Sequence, residues 1–157
     1  EDINFLVLGS GEAQVEVALK ELNQKHPSKC AVYIGYNEEL SHHVYAGADF
    51  LIMPSRVEPC GLNQLYSLRY GTMPIVCSTG GLKDTVIDFE EDEGGYGIRF
   101  STATVSSACI AIERAVNLFG QLARLNEYRK KMMALDFSWQ YSAKHYMNLY
   151  KTLKSVE

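Results

Sequence analysis

Short apolar runs and amphipathic stretches alternate along most of this chain. The apolar runs are brief, and most end at glycine, proline or serine, as buried strands of a parallel sheet do. The five predicted strands are Ile3–Gly9, Cys30–Gly35, Asp49–Pro54, Met73–Ser78 and Tyr96–Phe100. Between them, apolar residues recur every three or four positions, which is the spacing of one helix face. This alternation predicts an α/β fold with a doubly wound parallel sheet and right-handed crossovers.

The last third of the chain predicts helices alone. Apolar residues from Val105 to Phe119 mark a long amphipathic helix, and the segment "LARLNEYRKKMM" predicts another. Ser138 is a typical N-cap residue and begins the last predicted helix. That helix carries an apolar stripe formed by Trp139, Ala143, Tyr146, Tyr150 and Leu153. The sequence therefore predicts C-terminal helices that follow the sheet.

Composition narrows the class of protein. The chain has 157 residues, which suits one domain, and we assign residues 1–157 to a single domain. A net charge of −4 argues against a surface that binds nucleic acid. The chain contains no run of about 18 apolar residues that would predict a membrane span, and its start lacks the features of a signal peptide. Four widely spaced cysteines without a CxxC pair indicate reduced thiols in a cytoplasmic protein, with no disulfide framework or zinc site.

A doubly wound sheet binds its ligands at the carboxyl ends of its strands. Three predicted loops lie there: Gly9–Gly11, Gly35–Glu38 and Pro54–Gly61. The third leads into a helix that we predict to begin at Gly61. The first N–H groups of a helix lack internal partners, and the helix dipole adds positive potential, so this end favours a phosphate group. The candidate diphosphate donors are the backbone N–H groups of Gly61, Leu62 and Asn63.

Glu58 stands just before this predicted anion site. Phosphates would repel its carboxylate, so neutral hydroxyl groups, as on a sugar, are its better partners. The residues alone also fit a simpler interpretation, in which Glu58 is a solvated carboxylate on a surface loop. Cys60, taken by itself, is typical of a packed thiol.

The segment "ADFLIMPSRVEPCGLNQLYSLRYGTMPIVCSTGGLKDTV" resembles the donor-binding half of bacterial glycogen synthases and plant starch synthases (glycosyltransferase family 5). The segments "IGYNEELSHHVYAGAD" and "FSWQYSAKHYMNLY" extend the resemblance over nearly the whole chain. The resemblance implies the Rossmann-like C-terminal half of a two-domain B-type glycosyltransferase. We therefore expect residues 1–157 to be a nucleotide-sugar-binding domain, incomplete at its N-terminal side and lacking the acceptor domain.

The resemblance also implies residue roles. Glu58 matches the catalytic glutamate that grips the hydroxyls of the donor glucose and supports an oxocarbenium-like transition state. Cys60, Gly61 and Leu62 match residues that line the glucose and diphosphate site. Tyr36 matches an aromatic residue that stacks on the nucleotide base.

The implied reaction retains the anomeric configuration. Glucose moves from ADP-glucose or UDP-glucose to the 4-hydroxyl at the non-reducing end of an α-1,4-glucan, as in glycogen biosynthesis. The expected partners are the nucleotide-glucose donor and, through the missing domain, the glucan; neither a metal nor another cofactor is expected. The choice between ADP and UDP stays open, because contacts with the base come largely from the backbone.

Two departures from the family pattern matter. Related retaining transferases carry a second glutamate where this chain has Tyr66, as other glycogen synthases do, which leaves Glu58 as the available carboxylate. The family's catalytic arginine and lysine precede the segment that begins at Glu1. We therefore expect the 157-residue chain alone to be inactive.

Two alternative functions stay open. The chain fits a stand-alone module that binds nucleotide sugar or glucan without turnover. It also fits another two-domain transferase, such as a sucrose synthase or a trehalose-forming enzyme, but these usually keep the second glutamate, and Tyr66 argues against them.

Other motifs have simpler interpretations. Gly80 and Gly81 form a tight turn that is either part of the donor site or purely structural. His42 and His43 point about 100° apart on a helix and make a poor metal pair. The acidic run Asp88–Glu93 is interpreted as a solvated loop.

Overall fold

The computed structural model describes residues 3–154, and within them it has five strands and seven helices. Every paired strand is parallel to its neighbour. The chain forms two compact units, Glu1–Val44 and Tyr45–Glu157. The predicted α/β class and the parallel strands are confirmed. The strands form two sheets, one of two strands and one of three, where the sequence predicted one.

The first unit is a strand–helix–strand motif. Strand β1 (Phe5–Gly9) leads through helix α1 (Ala13–Lys25) to strand β2 (Cys30–Ile34). The strands pair in register from Phe5 opposite Cys30 to Gly9 opposite Ile34. One further bond follows the ladder, because the N–H of Gly35 donates to the carbonyl oxygen of Gly9 at 2.9 Å. Both strands therefore end side by side at the carboxyl edge of this sheet.

Helix α2 (Glu38–Gly47) starts in the first unit and ends in the second. Asn37 caps it, because its side-chain oxygen accepts a hydrogen bond of 2.9 Å from the backbone N–H of Leu40. Asparagine is among the preferred residues at this position, since it satisfies an N–H group that the helix leaves unpaired. The helix therefore begins directly after Gly35 and Tyr36.

The second unit holds the larger sheet, in which β4 (Met73–Cys77) lies between β3 (Phe50–Met53) and β5 (Ile98–Phe100). Helix α3 (Asn63–Tyr70) connects β3 to β4, and helix α4 (Gly80–Thr85) follows β4. Three helices complete the unit: α5 (Val105–Phe119), α6 (Leu122–Met133) and α7 (Trp139–Lys154). Ser138 caps α7 as predicted, because its hydroxyl accepts a hydrogen bond of 3.2 Å from the N–H of Tyr141.

Helices cover both faces of the three-stranded sheet. Side chains of a strand alternate between its two faces, and the buried residues of β4 follow this rule. Ile75 and Cys77 pack in one core cluster with residues of α3, α5 and α6, including Leu68, Leu118 and Leu125. Val76 packs in a second cluster with Leu82 of α4 and with Met53 and Val86. All of β4 is buried, which explains its unbroken apolar sequence.

The strand predicted over Tyr96–Phe100 is shorter in the structure. Tyr96 and Gly97 both donate their backbone N–H groups to the carbonyl oxygen of Ile87, at 2.9 and 3.0 Å. These bonds join the two residues to Ile87, and the ladder between β4 and β5 runs only from Ile98 to Phe100. An isolated bridge between Asp88 and Gly97 belongs to the same contact.

The acidic run Asp88–Glu93 is not simply a solvated loop, and that interpretation is wrong for its first residue. Asp88 is only 1% exposed. Its carboxylate accepts two hydrogen bonds from the guanidinium of Arg114, at 2.6 and 3.1 Å. It also accepts the backbone N–H groups of Arg99 at 2.6 Å and Glu90 at 2.9 Å. Asp88 therefore fixes the start of the acidic run to α5 and β5.

Two further properties of residues 3–154 concern membrane spans and metal sites. No helix in that range has the length and apolar character needed to cross a membrane. The same residues hold no group of three or more histidine, cysteine or carboxylate side chains placed to bind a metal ion.

Candidate functional site

The candidate site occupies the loop of residues 54–62, between β3 and α3. Strands β3 and β4 are parallel neighbours, so their carboxyl ends open on the same edge of the sheet. The loop that follows β4 leads into α4 at that edge. Two loops and the N-termini of two helices therefore meet where a doubly wound sheet is expected to bind its ligand.

Glu58 lies in this loop and is partly buried. Its carboxylate accepts one long hydrogen bond, 3.4 Å from the hydroxyl of Ser55. Among residues 3–154 no cation pairs with it. The carboxylate is therefore held close to its own loop and keeps acceptor capacity for further hydroxyl donors, which is what a sugar-binding glutamate requires.

The backbone of Glu58 is fixed by the first turn of α4. The N–H of Gly81 donates to the carbonyl oxygen of Glu58 at 3.0 Å. A Cβ at Gly80 would collide with that same oxygen, and a Cβ at Gly81 would collide with the carbonyl oxygen of Cys60. Gly80 also has a positive φ of 44°, which disfavours any other residue. The two glycines are thus needed for close contact with the loop that carries Glu58, which favours a role beside the candidate site.

The helix that was predicted to begin at Gly61 begins at Asn63. Gly61 has a φ of 75°, which lies in the left-handed region and cannot belong to a right-handed helix. Leu62 occupies the N-cap position, and its carbonyl oxygen accepts the first helical bond, 2.9 Å from the N–H of Tyr66. The prediction was wrong by two residues because glycine punctuates a turn as readily as it starts a helix.

The three predicted diphosphate donors lie together at this helix end. Within the part of the chain that the structure describes, the N–H groups of Gly61, Leu62 and Asn63 donate to no protein acceptor. Leu62 and Asn63 are exposed, as is Cys60, whose thiol points back to the carbonyl oxygen of Gly61 at 3.6 Å. Unpaired N–H groups at a helix N-terminus favour an anion. Their role in binding a diphosphate stays a prediction.

Sequence reasoning missed Gln64, the second residue of α3. Its side chain is fully buried, and its amide nitrogen lies 3.0 Å from the carbonyl oxygens of both Cys60 and Gly61. The same nitrogen lies 3.1 Å from the hydroxyl of Thr85 in α4. The sequence signal for this role was a polar residue type next to the helix start. The direction in which the side chain of Gln64 points depends on Thr85, which is 21 positions away in sequence.

Tyr36 belongs to the first unit and follows Gly35 at the carboxyl end of β2. Its side chain is 84% exposed, and its hydroxyl donates to the carboxylate of Glu38 at 3.2 Å. This bond fixes the hydroxyl end of the ring at the start of α2. An exposed aromatic ring at this edge suits stacking on a flat base, and that role stays a prediction.

Tyr66, which stands where related retaining transferases are expected to carry a second glutamate, packs with other rings. Its ring centroid lies 6.1 Å from that of Tyr45, and the ring of Tyr45 stacks at 6.2 Å on that of Tyr70. Burial raises the pKa of the Tyr45 hydroxyl, and the neighbouring Tyr66 adds to the effect. Tyr66 therefore has structural partners within the second unit.

Two surface depressions of the second unit lie away from this loop. One, of about 610 Å³, is lined by residues 140–151 of α7. The other, of about 440 Å³, lies among residues of α3 and α6 and the segment 134–138. Neither includes Glu58 or the candidate diphosphate donors, so neither depression belongs to the candidate site.

The family profile described as glycosyl transferases group 1 matches residues 1–132. The glycogen synthase of Flavobacterium johnsoniae is 49% identical over 153 residues, which cover 98% of this chain and 32% of that protein. The glycogen synthase of Myxococcus xanthus is 49% identical over 152 residues, covering 97% and 31%. The chain therefore spans about a third of the length of these curated relatives.

Two solved structures are also similar to this chain in fold. The catalytic domain of starch synthase IV from Arabidopsis thaliana, bound to ADP and acarbose, superposes with a TM-score of 0.85 at 35% identity, covering 95% of this chain and 32% of that one. Sucrose-phosphate synthase from Thermosynechococcus elongatus reaches 0.65 at 24% identity, covering 97% and 39%, which shows a likeness of fold alone. The predicted resemblance to glycogen and starch synthases is confirmed, and the chain belongs to the glycosyl transferases of group 1.

Proposed function

We propose that this chain is the donor-binding domain of a retaining glucosyltransferase of the glycogen and starch synthase type. It moves glucose from ADP-glucose, or UDP-glucose, to the non-reducing end of an α-1,4-glucan. The observation that carries the proposal is the stretch of residues 54–63, where the carboxylate of Glu58 is followed, three to five residues later, by three backbone N–H groups that meet no acceptor among residues 3–154. The relatives named glycogen synthase, and the ADP bound to starch synthase IV, support the same function.

The donor would bind by its three chemical parts. The diphosphate accepts hydrogen bonds from the N–H groups of Gly61, Leu62 and Asn63, whose helix end also supplies a favourable dipole. The thiol of Cys60 borders the position of the glucose ring, and the ring of Tyr36 stacks on the base. Glu58 accepts hydrogen bonds from glucose hydroxyls, because its negative charge suits neutral donors and not the phosphates.

The chemistry follows from where charge develops. As the bond between C1 of glucose and the diphosphate oxygen breaks, positive charge spreads over the sugar ring and negative charge grows on the leaving group. Glu58 stabilises the first, and the backbone N–H groups stabilise the second. The 4-hydroxyl of the glucan forms the new bond to C1 on the face that the diphosphate leaves, and its proton passes to the departing phosphate. The α configuration is thereby retained.

The glucan acceptor would meet this loop from a part of the enzyme outside residues 1–157.

We also propose that the enzyme works in the cytoplasm. Cys30 and Cys77 are buried free thiols, and Cys60 and Cys109 are exposed free thiols. Free cysteines at an exposed ligand site are typical of a reducing compartment.

The experiment that tests the function uses a full-length enzyme that contains this chain. Calorimetric titration with ADP, UDP and their glucose conjugates measures donor binding, and incorporation of labelled glucose into glycogen measures transfer. We expect binding of one nucleotide and elongation of glycogen, and no elongation by the 157-residue chain alone. Donor binding without any elongation by the full-length enzyme would favour a binding module, and the absence of both would contradict the proposal.

A further inference from the structure

Gln64 joins the candidate donor loop to the next helix. Its side chain is 0% exposed, although it belongs to the first turn of α3. Its amide nitrogen lies 3.0 Å from each of two carbonyl oxygens, those of Cys60 and Gly61. The hydroxyl of Thr85, 3.1 Å from the same nitrogen, donates at 2.5 Å to the carbonyl oxygen of Gly81. One side chain thus connects the loop, the start of α3 and α4.

These bonds determine where the neighbouring N–H groups point. A trans peptide is planar, and its C=O and N–H point in opposite directions. The carbonyl of Cys60 shares a peptide plane with the N–H of Gly61, and the carbonyl of Gly61 shares one with the N–H of Leu62. Since Gln64 draws both carbonyls inward, both N–H groups face away from it. Neither meets a protein acceptor within residues 3–154.

The arrangement has a cost that a purely structural side chain would avoid. The amide oxygen of Gln64 is buried and accepts no hydrogen bond from the described residues, and such orphaned acceptors are unfavourable. Turning the amide over would place its oxygen against the two carbonyls, which is worse. A Cβ at Gly61 would lie 2.5 Å from that oxygen, so the loop is also shaped around the glutamine. An apolar residue of the same size would fill the space without an orphan, but it would leave both carbonyls unheld.

We propose that Gln64 is a positioning residue for the donor diphosphate, because it fixes the peptides on either side of Gly61 so that the N–H groups of Gly61 and Leu62 aim at the phosphates. This inference rests on the proposed function. Gln64 touches no substrate atom in this role. Its effect reaches the diphosphate through the two peptide planes that it holds.

The test is Gln64→Met in a full-length enzyme that contains this chain, with Gln24→Met, an exposed residue of α1, as the matched control. Methionine keeps the length of the side chain and removes both hydrogen-bond donors. We expect affinity for ADP and turnover each to fall by about tenfold or more, the size of one or two lost oriented hydrogen bonds. Affinity for adenosine, which has no phosphate, should stay within about twofold, because base stacking does not depend on these N–H groups. A purely structural role would weaken both ligands alike or neither.

The outcomes separate the two proposals. If the wild-type enzyme binds neither ADP nor UDP, the proposed function fails and this inference fails with it. If the wild type binds ADP and Gln64→Met binds it equally well, the function stands and only the role of Gln64 is refuted. Equal weakening of ADP and adenosine also refutes that role.

A second measurement tests the inference even if the Gln64→Met variant does not fold. Hydrogen exchange of the wild-type enzyme should show unprotected amides at Gly61 and Leu62 that become protected when ADP is added. Protection of both amides before ADP is added would show that they already have protein acceptors, and would overturn the inference.

Discussion

The backbone N–H of Gly81 donates a hydrogen bond of 3.0 Å to the carbonyl oxygen of Glu58. The first turn of α4 thereby holds the residue proposed to stabilise the sugar in the transition state. The bond requires backbone-to-backbone contact, and both Gly80 and Gly81 lack the Cβ that would prevent it. Segments that are 23 residues apart in sequence are in this way fixed as one surface.

Gly81→Ala should therefore separate the two segments. Its Cβ would collide with the carbonyl oxygen of Cys60, which is backbone and cannot rotate away. We expect a loss of about 1–3 kcal/mol in the free energy of unfolding, as for other overpacked sites, and a large fall in glucose transfer. Gly47→Ala, in helix α2 where a Cβ meets nothing within 4 Å, is the control and should lower neither quantity, because alanine favours a helix over glycine. Wild-type stability and turnover in Gly81→Ala would show that the contact is unimportant.

Tyr36→Ala tests the stacking role. The ring is 84% exposed at the carboxyl end of β2, and stacking on a base contributes about 1–3 kcal/mol. We expect calorimetric affinity for the nucleotide to fall about tenfold or more with the fold retained. Tyr36→Phe keeps the ring and removes the hydroxyl that donates to Glu38, so its affinity should remain near that of the wild type. Unchanged affinity in Tyr36→Ala would reject the stacking role.

The pairing of Asp88 with Arg114 predicts a dependence of stability on pH. Burial alone would raise the pKa of Asp88. Hydrogen bonds from Arg114 and from the backbone N–H groups of Arg99 and Glu90 outweigh it, so the pKa lies below the ordinary 3.8. A depressed pKa in the folded state contributes stability that is complete above the unfolded pKa. That contribution is lost as the pH falls through the folded pKa.

Asp88→Asn should remove this contribution. We expect the free energy of unfolding at neutral pH to fall by about 1.5–3 kcal/mol or more, the value of hydrogen bonds to charged groups. The difference between variant and wild type should shrink as the pH falls below about 4. Urea denaturation at several pH values measures both, with the exposed Asp84→Asn as the control. A constant difference down to pH values below the folded pKa of Asp88 would contradict the charged state assigned to it.

The position of β4 was predictable because burial on both faces leaves a direct mark on the sequence, and every one of its residues is buried. The site loop was also predictable, because the carboxyl-edge rule and the order of the elements locate it before any side chain is known. The resemblance then supplied the roles proposed for Glu58 and Tyr36, which their residue types alone left open and which stay predictions.

Asp88 and Gln64 were not predictable, for a common physical reason. Four further acidic residues follow Asp88 within the next five positions, so the sequence does not show which of them is buried. The partner of Asp88, Arg114, is 26 positions away. Gln64 depends on Thr85, 21 positions away. Sequence patterns report which face of an element is apolar, whereas these two polar residues are fixed by distant partners. The predicted start of α3 was wrong for a local reason. Glycine occurs in tight turns as well as at helix starts, so the sequence did not show that Gly61 has a left-handed φ of 75°.

The apolar stripe of α7 predicts self-association of the isolated 157-residue chain. Trp139 is 85% exposed, and Tyr146, Tyr150 and Leu153 on the same stripe are exposed as well. Large exposed apolar surfaces favour association in water. Sedimentation should show dimers or larger species, and Tyr146→Lys with Tyr150→Lys should shift them to the monomer. A wild-type chain that is monomeric at high concentration would contradict this prediction.

Glu58→Gln, placed in a full-length enzyme that contains this chain, tests the central role. Glutamine keeps the size of the side chain and its hydrogen-bond geometry but removes the charge. Interactions that strengthen as positive charge develops on the sugar raise turnover more than ground-state binding, and losing preorganised charge stabilisation costs about 10²–10³ in rate. We expect kcat on glycogen to fall at least about a hundredfold, while Glu21→Gln in α1, an exposed control, leaves it unchanged.

Binding of the free nucleoside diphosphate separates the sugar role of Glu58 from a role in shaping the loop. That ligand has no sugar, so Glu58→Gln should leave its calorimetric affinity within a few-fold of the wild type. The hydrogen bond from the N–H of Gly81 to the carbonyl oxygen of Glu58 does not involve the side chain, so we expect it to persist in the variant. The backbone N–H groups proposed to bind the phosphates should therefore keep their positions. If diphosphate affinity collapses while kcat survives, the carboxylate organises the phosphate loop, and its assignment to the sugar is wrong.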